Sequence, residues 1–219
     1  ASHGIGRGAA EKFLAQGWEV FGCGSNVGDR RGIEMAEKNP LFHYMYADVS
    51  VEEDVKRLFA WCGVVDAAFN NAGIGCEAVQ IHKMDVIGAK RILEVNLLGT
   101  ALCMKYECGQ MLKKPGGVIV NNASVSAYKA LTGADFMYAA SKAGVLRLTA
   151  EAAVQEAYRD KIKFFSVIPG WIETRMTAAD NKDEWREKLP SQKAGTPQQV
   201  AELVYTIVSS QCSFESGQE

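Results

Sequence analysis

Ala1-Ser-His-Gly4-Ile-Gly6-Arg-Gly8-Ala-Ala-Glu-Lys-Phe-Leu-Ala-Gln16-Gly-Trp18-Glu-Val-Phe-Gly-Cys23 is the stretch whose reading decides the fold. It reads as a glycine turn, then an amphipathic helix over Gly6–Gln16, then a short apolar strand over Trp18–Cys23. Taken alone, a glycine cluster is no more than a tight turn. Ahead of a helix and a strand, its glycines admit a close backbone approach, and the helix start turns positive potential toward a phosphate. Folds that bind dinucleotides use this order.

The same alternation continues outward. Phe42–Ala47, Val65–Asn70, Val118–Asn122 and Ile162–Ile168 are short, apolar and rich in β-branched or aromatic residues. Helical patterns lie between and after them at Arg30–Glu37, Glu52–Trp61, Lys90–Leu112, Phe136–Tyr158 and Pro197–Ser209, and Lys114-Pro-Gly-Gly117 is a firm stop. Such alternation implies right-handed crossovers and a Rossmann-type, doubly wound parallel α/β sheet with helices on both faces. No strand precedes Ala1-Ser-His-Gly4, and Cys212–Gly217 reads as the approach to another strand. The first and last strands are therefore expected about ten residues beyond each end. Residues 1–219 are expected to form a single domain, with a substrate lid near 175–194.

Composition narrows the function. The chain has 24 basic and 26 acidic residues and a net charge of −2. That balance announces no nucleic-acid face, and no apolar run reaches membrane-spanning length. Six cysteines without a Cys-x-x-Cys pair, and three histidines (3, 43 and 82), give poor support to a metal site. Reduced thiols in a cytoplasmic protein are expected. His43 and His82 read as surface or core residues.

Chemistry enters at Tyr138-Ala-Ala-Ser-Lys142, with Ser124 upstream. Helix positions four apart share a face. An ammonium beside a phenol favours the phenolate and lowers its pKa, so that Tyr138 can exchange a proton near neutral pH. Ser124 can hydrogen-bond the same substrate oxygen.

Together these residues resemble the short-chain dehydrogenase/reductase family of the roughly 250-residue type, along almost the whole chain. Ser2, His3, Gly4, Ile5 and Gly6 look like the end of the family's Thr-Gly-x-x-x-Gly-x-Gly turn. Asp48-Val49 matches the adenine-contacting site, and Asn70-Asn-Ala72-Gly73 matches the Asn-Asn-Ala-Gly segment. Asn96, Ser124, Tyr138 and Lys142 match the catalytic positions. Pro169-Gly170-Trp-Ile172-Glu-Thr174 matches the segment that holds the nicotinamide carboxamide, and Gly195-Thr-Pro197 and Ser213–Gly217 fit the C-terminal third. Glu173-Thr-Arg-Met176 and Gly195-x-Pro197 look like the 3-oxoacyl-carrier-protein-reductase branch. Asp48 to Asn70 is shorter than the family pattern by about one helical turn. The interval from Ser124 to Tyr138 is longer by about one residue, which keeps Ser126 as a rival for the serine role.

The resemblance implies a metal-free carbonyl/alcohol interconversion. Tyr138 would protonate the developing alkoxide and Ser124 would steady it. Lys142 would acidify the phenol and hold the nicotinamide ribose. Asn96 would position a relay water, unless it is a polar residue that kinks its helix or bridges to a strand. Asn121 and Asn122 read as satisfying backbone groups. Trp171 floors the pocket or simply packs.

At the end of the second strand of such a fold an acidic residue would hold the ribose of NAD. Here the segment is Cys23-Gly24-Ser25-Asn26. Gly24 leaves room for a 2′-phosphate, Ser25, Asn26 and His3 can donate to it, and Arg30 and Arg31 lie nearby. The balance favours NADP, with NAD open. The substrate is a small carbonyl or alcohol. Within Arg175–Pro190, Met176 and Trp185 suggest one that is partly apolar. Family members pair their long helices into tetramers or dimers, and Met104, Leu112, Leu146, Leu148 and Ala152 are candidates for that surface. A non-catalytic dinucleotide binder is disfavoured because Tyr138 and Lys142 both remain. An enoyl reductase is disfavoured by their spacing of four, and an epimerase by length.

Overall fold

The computed structural model describes residues 1–130, 135–178, 193–209 and 215–217. It has a Rossmann-like α/β fold in which parallel strands alternate with helices. Its contacts divide it into two compact units, Ala1–Tyr46 with Pro169–Cys212, and Ala47–Ile168 with Ser213–Glu219.

The first unit contains helix α1 (Gly4–Ala15), strand β1 (Val20–Gly24), helix α2 (Arg31–Lys38), strand β2 (Phe42–Tyr46) and, as the last described helix, α7 (Pro197–Val208). β1 and β2 pair in parallel from Val20 opposite Phe42 to Gly24 opposite Tyr46. α1 begins at Gly4, whose φ of +57° lies in the left-handed region. Its small residues Gly6, Gly8, Ala9 and Ala10 are buried. At Gly8 an added Cβ would lie 3.1 Å from the Pro197 carbonyl oxygen, so this glycine is a packing residue that seats α1 on α7. α7 opens on a Thr196/Gln199 capping box with Pro197 in its first turn. It buries Val200, Ala201, Val204, Ile207 and Val208. Phe13 of α1 meets Trp18 and Tyr205 edge-on at 5.3 and 5.4 Å between ring centroids.

The second unit contains helix α3 (Glu52–Cys62), strand β3 (Ala67–Asn70), helices α4 (Val86–Leu93) and α5 (Gly99–Met111), strand β4 (Gly117–Asn122), helix α6 (Phe136–Ala153) and strand β5 (Ile162–Val167). The strands run parallel in the order β3-β4-β5, with Ala67 opposite Val118 and Gly117 opposite Ile162. Ile119, Val120, Phe164 and Phe165 are all buried, as befits strands covered on both faces. Met104, Cys108 and Met111 of α5 and Ala152 of α6 close over Ile119, Ile162 and Phe164. At the edge of β5, the Phe164 N–H donates to Ser216 Oγ at 3.0 Å, and Gly217 N donates to the Phe164 carbonyl at 2.8 Å.

Element types follow the sequence reading, and boundaries move. The helix expected over Lys90–Leu112 is α4 joined to α5 through a π-turn at Glu94–Leu98, where the Gly99 N–H bonds back to the Glu94 carbonyl. α6 ends at Ala153 and a separate 3-10 turn covers Glu156–Tyr158. Of the residues expected on an assembly surface, Met104, Leu146 and Ala152 are buried inside this unit, and Leu148 packs against its core. They face their own sheet, so only Leu112 keeps substantial exposure, at 36%.

Candidate active site

α6 carries the reactive pair on the face it turns to the sheet. Asp135 caps it, its Oδ1 accepting the Met137 N–H at 2.9 Å. Ser141, Lys142, Val145 and Thr149 then fall at helical spacing along the buried side. Lys142 is only 3% exposed. Its ammonium donates to the Asn122 carbonyl at 2.6 Å and stands 5.7 Å from the centroid of the Tyr138 ring. Burial pushes the Lys142 pKa down to about 8. Ser124 stands just beyond β4, where its Oγ accepts the Ser126 N–H at 3.2 Å and donates to Ser126 Oγ at 3.3 Å. Ser124 also lies near enough to the Tyr138 phenol to pull its pKa down.

The expected acidification of Tyr138 is not what this geometry produces. Burial raises its pKa above that of an ordinary tyrosine, and Ser124 pulls the other way without prevailing. The ammonium is aimed at the Asn122 carbonyl, over the ring rather than at the hydroxyl.

Asn96 sits in the π-turn, fully buried. Its Oδ1 accepts the Ile74 N–H and its Nδ2 donates to the Ile74 carbonyl, both at 2.8 Å, and Nδ2 also reaches Ser141 Oγ at 3.0 Å. Both ends of the carboxamide are thus engaged in bridging the segment after β3 to α6. For the expected water relay the side chain keeps only the second lone pair of Oδ1. That segment contains Gly73, where an added Cβ would lie 3.4 Å from Asn96 Oδ1 and 3.5 Å from Lys142 Nζ. Ala72 beside it is exposed.

Other expected cofactor residues of this unit point inward. Asn70 Nδ2 donates to Glu107 Oε2 at 3.0 Å and to Asn121 Oδ1 at 2.9 Å. Asn121 donates in turn to Thr149 Oγ1, so it serves side chains and not backbone groups. Asn122 offers its carbonyl to Lys142 and its Nδ2 to Asn71 Oδ1 at 2.9 Å. The Asp48 carboxylate is held by Ser50 and by Arg91 Nη2 at 2.5 Å, and Val49 is buried.

In the first unit, Ser2 is buried, Gly4 starts α1, Ile5 is half-buried and Gly6 is buried. An added Cβ at Gly4 would lie 3.6 Å from Thr174 Cγ2. The Thr174 N–H donates to Thr177 Oγ1 at 3.0 Å, and Ile172 bridges to Gly195. Pro169 is half-buried, Gly170 faces open space and Trp171 is buried. Ser25 and Asn26 are exposed just past the end of β1. The room at Gly24 has another tenant than the one expected. An added Cβ would lie 2.5 Å from the Tyr44 hydroxyl, so Gly24 accommodates that side chain. Most of the expected lid, including Trp185, and Ser213 and Phe214 lie outside the described residues.

Each unit by itself carries features that fit part of a dinucleotide. No side chain caps α1, which leaves its first-turn N–H groups for an anion. Gly73 keeps the space beside Lys142 open, and the buried Asn122 Oδ1 has no hydrogen-bond partner. A model of the family described as enoyl-(acyl carrier protein) reductase matches residues 1–219. The chain belongs to the short-chain dehydrogenase/reductase family. Cyclohexanol dehydrogenase of Acinetobacter sp. (strain SE19) is 31% identical to this short-chain dehydrogenase/reductase, over 100% of this chain and 89% of the relative. A 3-oxoacyl-[acyl-carrier protein] reductase with bound NAD from Brucella melitensis superimposes with a TM-score of 0.88 at 28% identity, covering 100% of this chain and 85% of its own. ElxO with NADP bound gives a TM-score of 0.88 at 27% identity, covering 99% and 91%. This short-chain dehydrogenase/reductase is an NAD(P)-dependent oxidoreductase that interconverts carbonyls and alcohols, in a branch like the 3-oxoacyl-carrier-protein reductases.

Sequence reading of this short-chain dehydrogenase/reductase missed Glu107, a carboxyl buried at 2% exposure. The available signal was its place between Met104, Cys108 and Met111 on the apolar face of α5. It also missed the tie between the loop after β3 and α6, in which Cys76 N and Sγ both donate to the capping Asp135 Oδ2, at 3.1 and 3.2 Å.

Proposed function

We propose that Tyr138 is the general acid of a ketone reduction, with Ser124 and Lys142 as its partners, and that it becomes the base when an alcohol is oxidised. The observation that carries this reading is one turn of α6. It holds a phenol whose pKa Ser124 pulls down and, above its ring, a buried ammonium fixed on the Asn122 carbonyl. The nicotinamide of NAD(P)(H), when bound, supplies or accepts the hydride. Tyr138 Oη gives its proton to the oxygen that becomes an alkoxide. Ser124 Oγ donates to the same oxygen, a contact worth most where charge accumulates. Lys142 contributes a fixed positive charge and a donor toward the nicotinamide ribose. Asn96 is a positioning residue that keeps Gly73 and Ile74 against Lys142. Ser2, Gly4, Ile5 and Gly6 would hold the pyrophosphate, Asp48, Val49, Asn70, Ala72 and Gly73 the adenosine side, and Pro169, Gly170, Ile172 and Thr174 the carboxamide. Since the Asn70 and Asp48 side chains are already engaged, their contribution comes through the backbone.

The substrates are small, partly apolar ketones or secondary alcohols. Cys76 and Cys108 are free thiols, which supports a reducing, cytoplasmic setting. The working assembly is a homotetramer or homodimer. The test is oxidation of NADPH and NADH against a panel of ketones, beside the melting shift each dinucleotide produces. Binding without turnover of any ketone or alcohol would leave a dinucleotide-binding protein and remove the catalytic assignment.

The serine assignment has its own test. Ser124→Ala should lower turnover by about 100-fold, as expected for loss of a donor to the oxyanion, while Ser126→Ala should stay near wild type. The reverse ranking would hand the role to Ser126. Because burial disfavours the charged form, Lys142 loses its proton near pH 8 instead of at 10.5. The kcat/KM for ketone reduction should therefore be level at neutral pH and decline above about 8. A profile flat through pH 9.5 would show that the ammonium charge is not needed.

A further inference from the structure

The positive groups beyond the end of β1 are already paired. Arg31 Nε donates to Asp29 Oδ1 and Nη2 to Asp29 Oδ2, each at 2.8 Å, a two-point grip of the kind guanidinium makes with carboxylate. The Arg31 backbone N–H reaches the same Oδ1 at 3.2 Å, and Ser2 Oγ donates to Oδ2 at 2.8 Å. The Asp29 side chain is 8% exposed and that of Arg31 41%, so the carboxylate is sunk behind its cation. Arg31 holds the Asp29 carboxyl far below the usual carboxylate range. His3 lies 3.6 Å from Asp29 Oδ2, and burial lowers its pKa, which leaves it neutral at pH 7. Arg30, on the outside, lies 3.7 Å from Glu37 Oε1.

We propose that Asp29 sets the balance between NADP and NAD: by holding Arg31 and Ser2 it masks the charge that a 2′-phosphate on the adenosine ribose would bind. A dianionic phosphate brought to Arg31 must compete with a carboxylate that already occupies the Nε–Nη2 edge of the guanidinium and offsets its charge. A ribose with free hydroxyls faces no such competition. The compensated pair thus levels two cofactors that an unmasked Arg31 would separate in favour of NADP. This rests on the reading that the adenosine half of the dinucleotide lies at the start of α1 and the end of β1.

The experiment measures binding of 2′,5′-ADP and 5′-ADP by calorimetry to the intact chain, the Asp29→Asn and Arg31→Gln variants, and the double variant. Asp29→Asn keeps an acceptor for the Arg31 N–H and removes the charge. It should tighten 2′,5′-ADP by about tenfold, the scale of one freed charge-assisted contact, with 5′-ADP little changed. In the Asp29→Asn background Arg31→Gln should erase the gain, whereas alone it uncovers the Asp29 charge and should weaken 2′,5′-ADP relative to 5′-ADP. An unchanged or lowered 2′,5′-ADP affinity in Asp29→Asn would overturn the proposal, because Asp29 would then be idle or would be presenting Arg31 to the phosphate. If Asp29→Asn does not fold, Asp29→Ser takes its place with the same two outcomes. If wild type binds neither nucleotide, the adenosine reading itself fails. Binding of 5′-ADP with an unaltered ratio defeats only the role of Asp29.

Discussion

Tyr138→Phe should cut turnover by about 100-fold or more while leaving the dinucleotide Kd nearly unchanged. The substitution removes one oxygen. The ring that Lys142 covers stays, Lys142 keeps its bond to the Asn122 carbonyl, and only the pull of Ser124 on the phenol is lost. The loss should appear in kcat, since proton donation belongs to the transition state and not to cofactor binding. The raised pKa of Tyr138 adds a directional expectation. At neutral pH the phenol carries its proton, the form a reduction needs. Alcohol oxidation needs the phenolate and should gain rate as pH rises toward the alkaline range. Activity within tenfold of wild type would show that another group moves the proton.

Glu107→Gln should stabilise the protein at pH 7, and the gain should grow with pH. The Glu107 carboxyl is buried beneath β3 and β4, with the Asn70 amide on Oε2. Burial pushes its pKa up from 4.5 to about 8. Between those values the folded state holds a proton that the unfolded state gives up, so stability contributed by this group is full below pH 4.5 and is lost as pH rises toward 8. Glutamine keeps the acceptor for Asn70 and needs no proton. The difference should be about 3 kcal/mol at pH 7 and close to zero at pH 4.5. Urea unfolding of both proteins at pH 5, 6, 7 and 8 measures it. A gap independent of pH would mean that Glu107 is ionised in the folded state or reaches water.

Much of the proposed catalytic group is legible in the sequence because it is local. Tyr138 and Lys142 lie one helical turn apart wherever α6 packs, and a glycine turn before a helix has few other uses in an alternating α/β chain. What was not legible depends on neighbours distant in sequence. Gly8 reads as part of a phosphate-binding glycine turn, yet it packs against Pro197. Gly24 was read as space for a phosphate, yet Tyr44 from the adjacent strand uses that space. Asn96 was assigned a water, and its carboxamide holds Ile74 and Ser141. The apolar face of α5 was offered to a partner subunit, while Met104 belongs to the core of its own unit.

Sequence alone determined the parallel α/β class, the family and the residues that meet along one face of α6, because helix and strand periods act over a few residues. Tertiary structure decided which charges are masked and which protons are held. It placed Asp29 on Arg31, buried Glu107 under the sheet and raised the Tyr138 phenol while lowering Lys142. Those outcomes depend on desolvation and on contacts between segments far apart in the chain, and no local spacing encodes them.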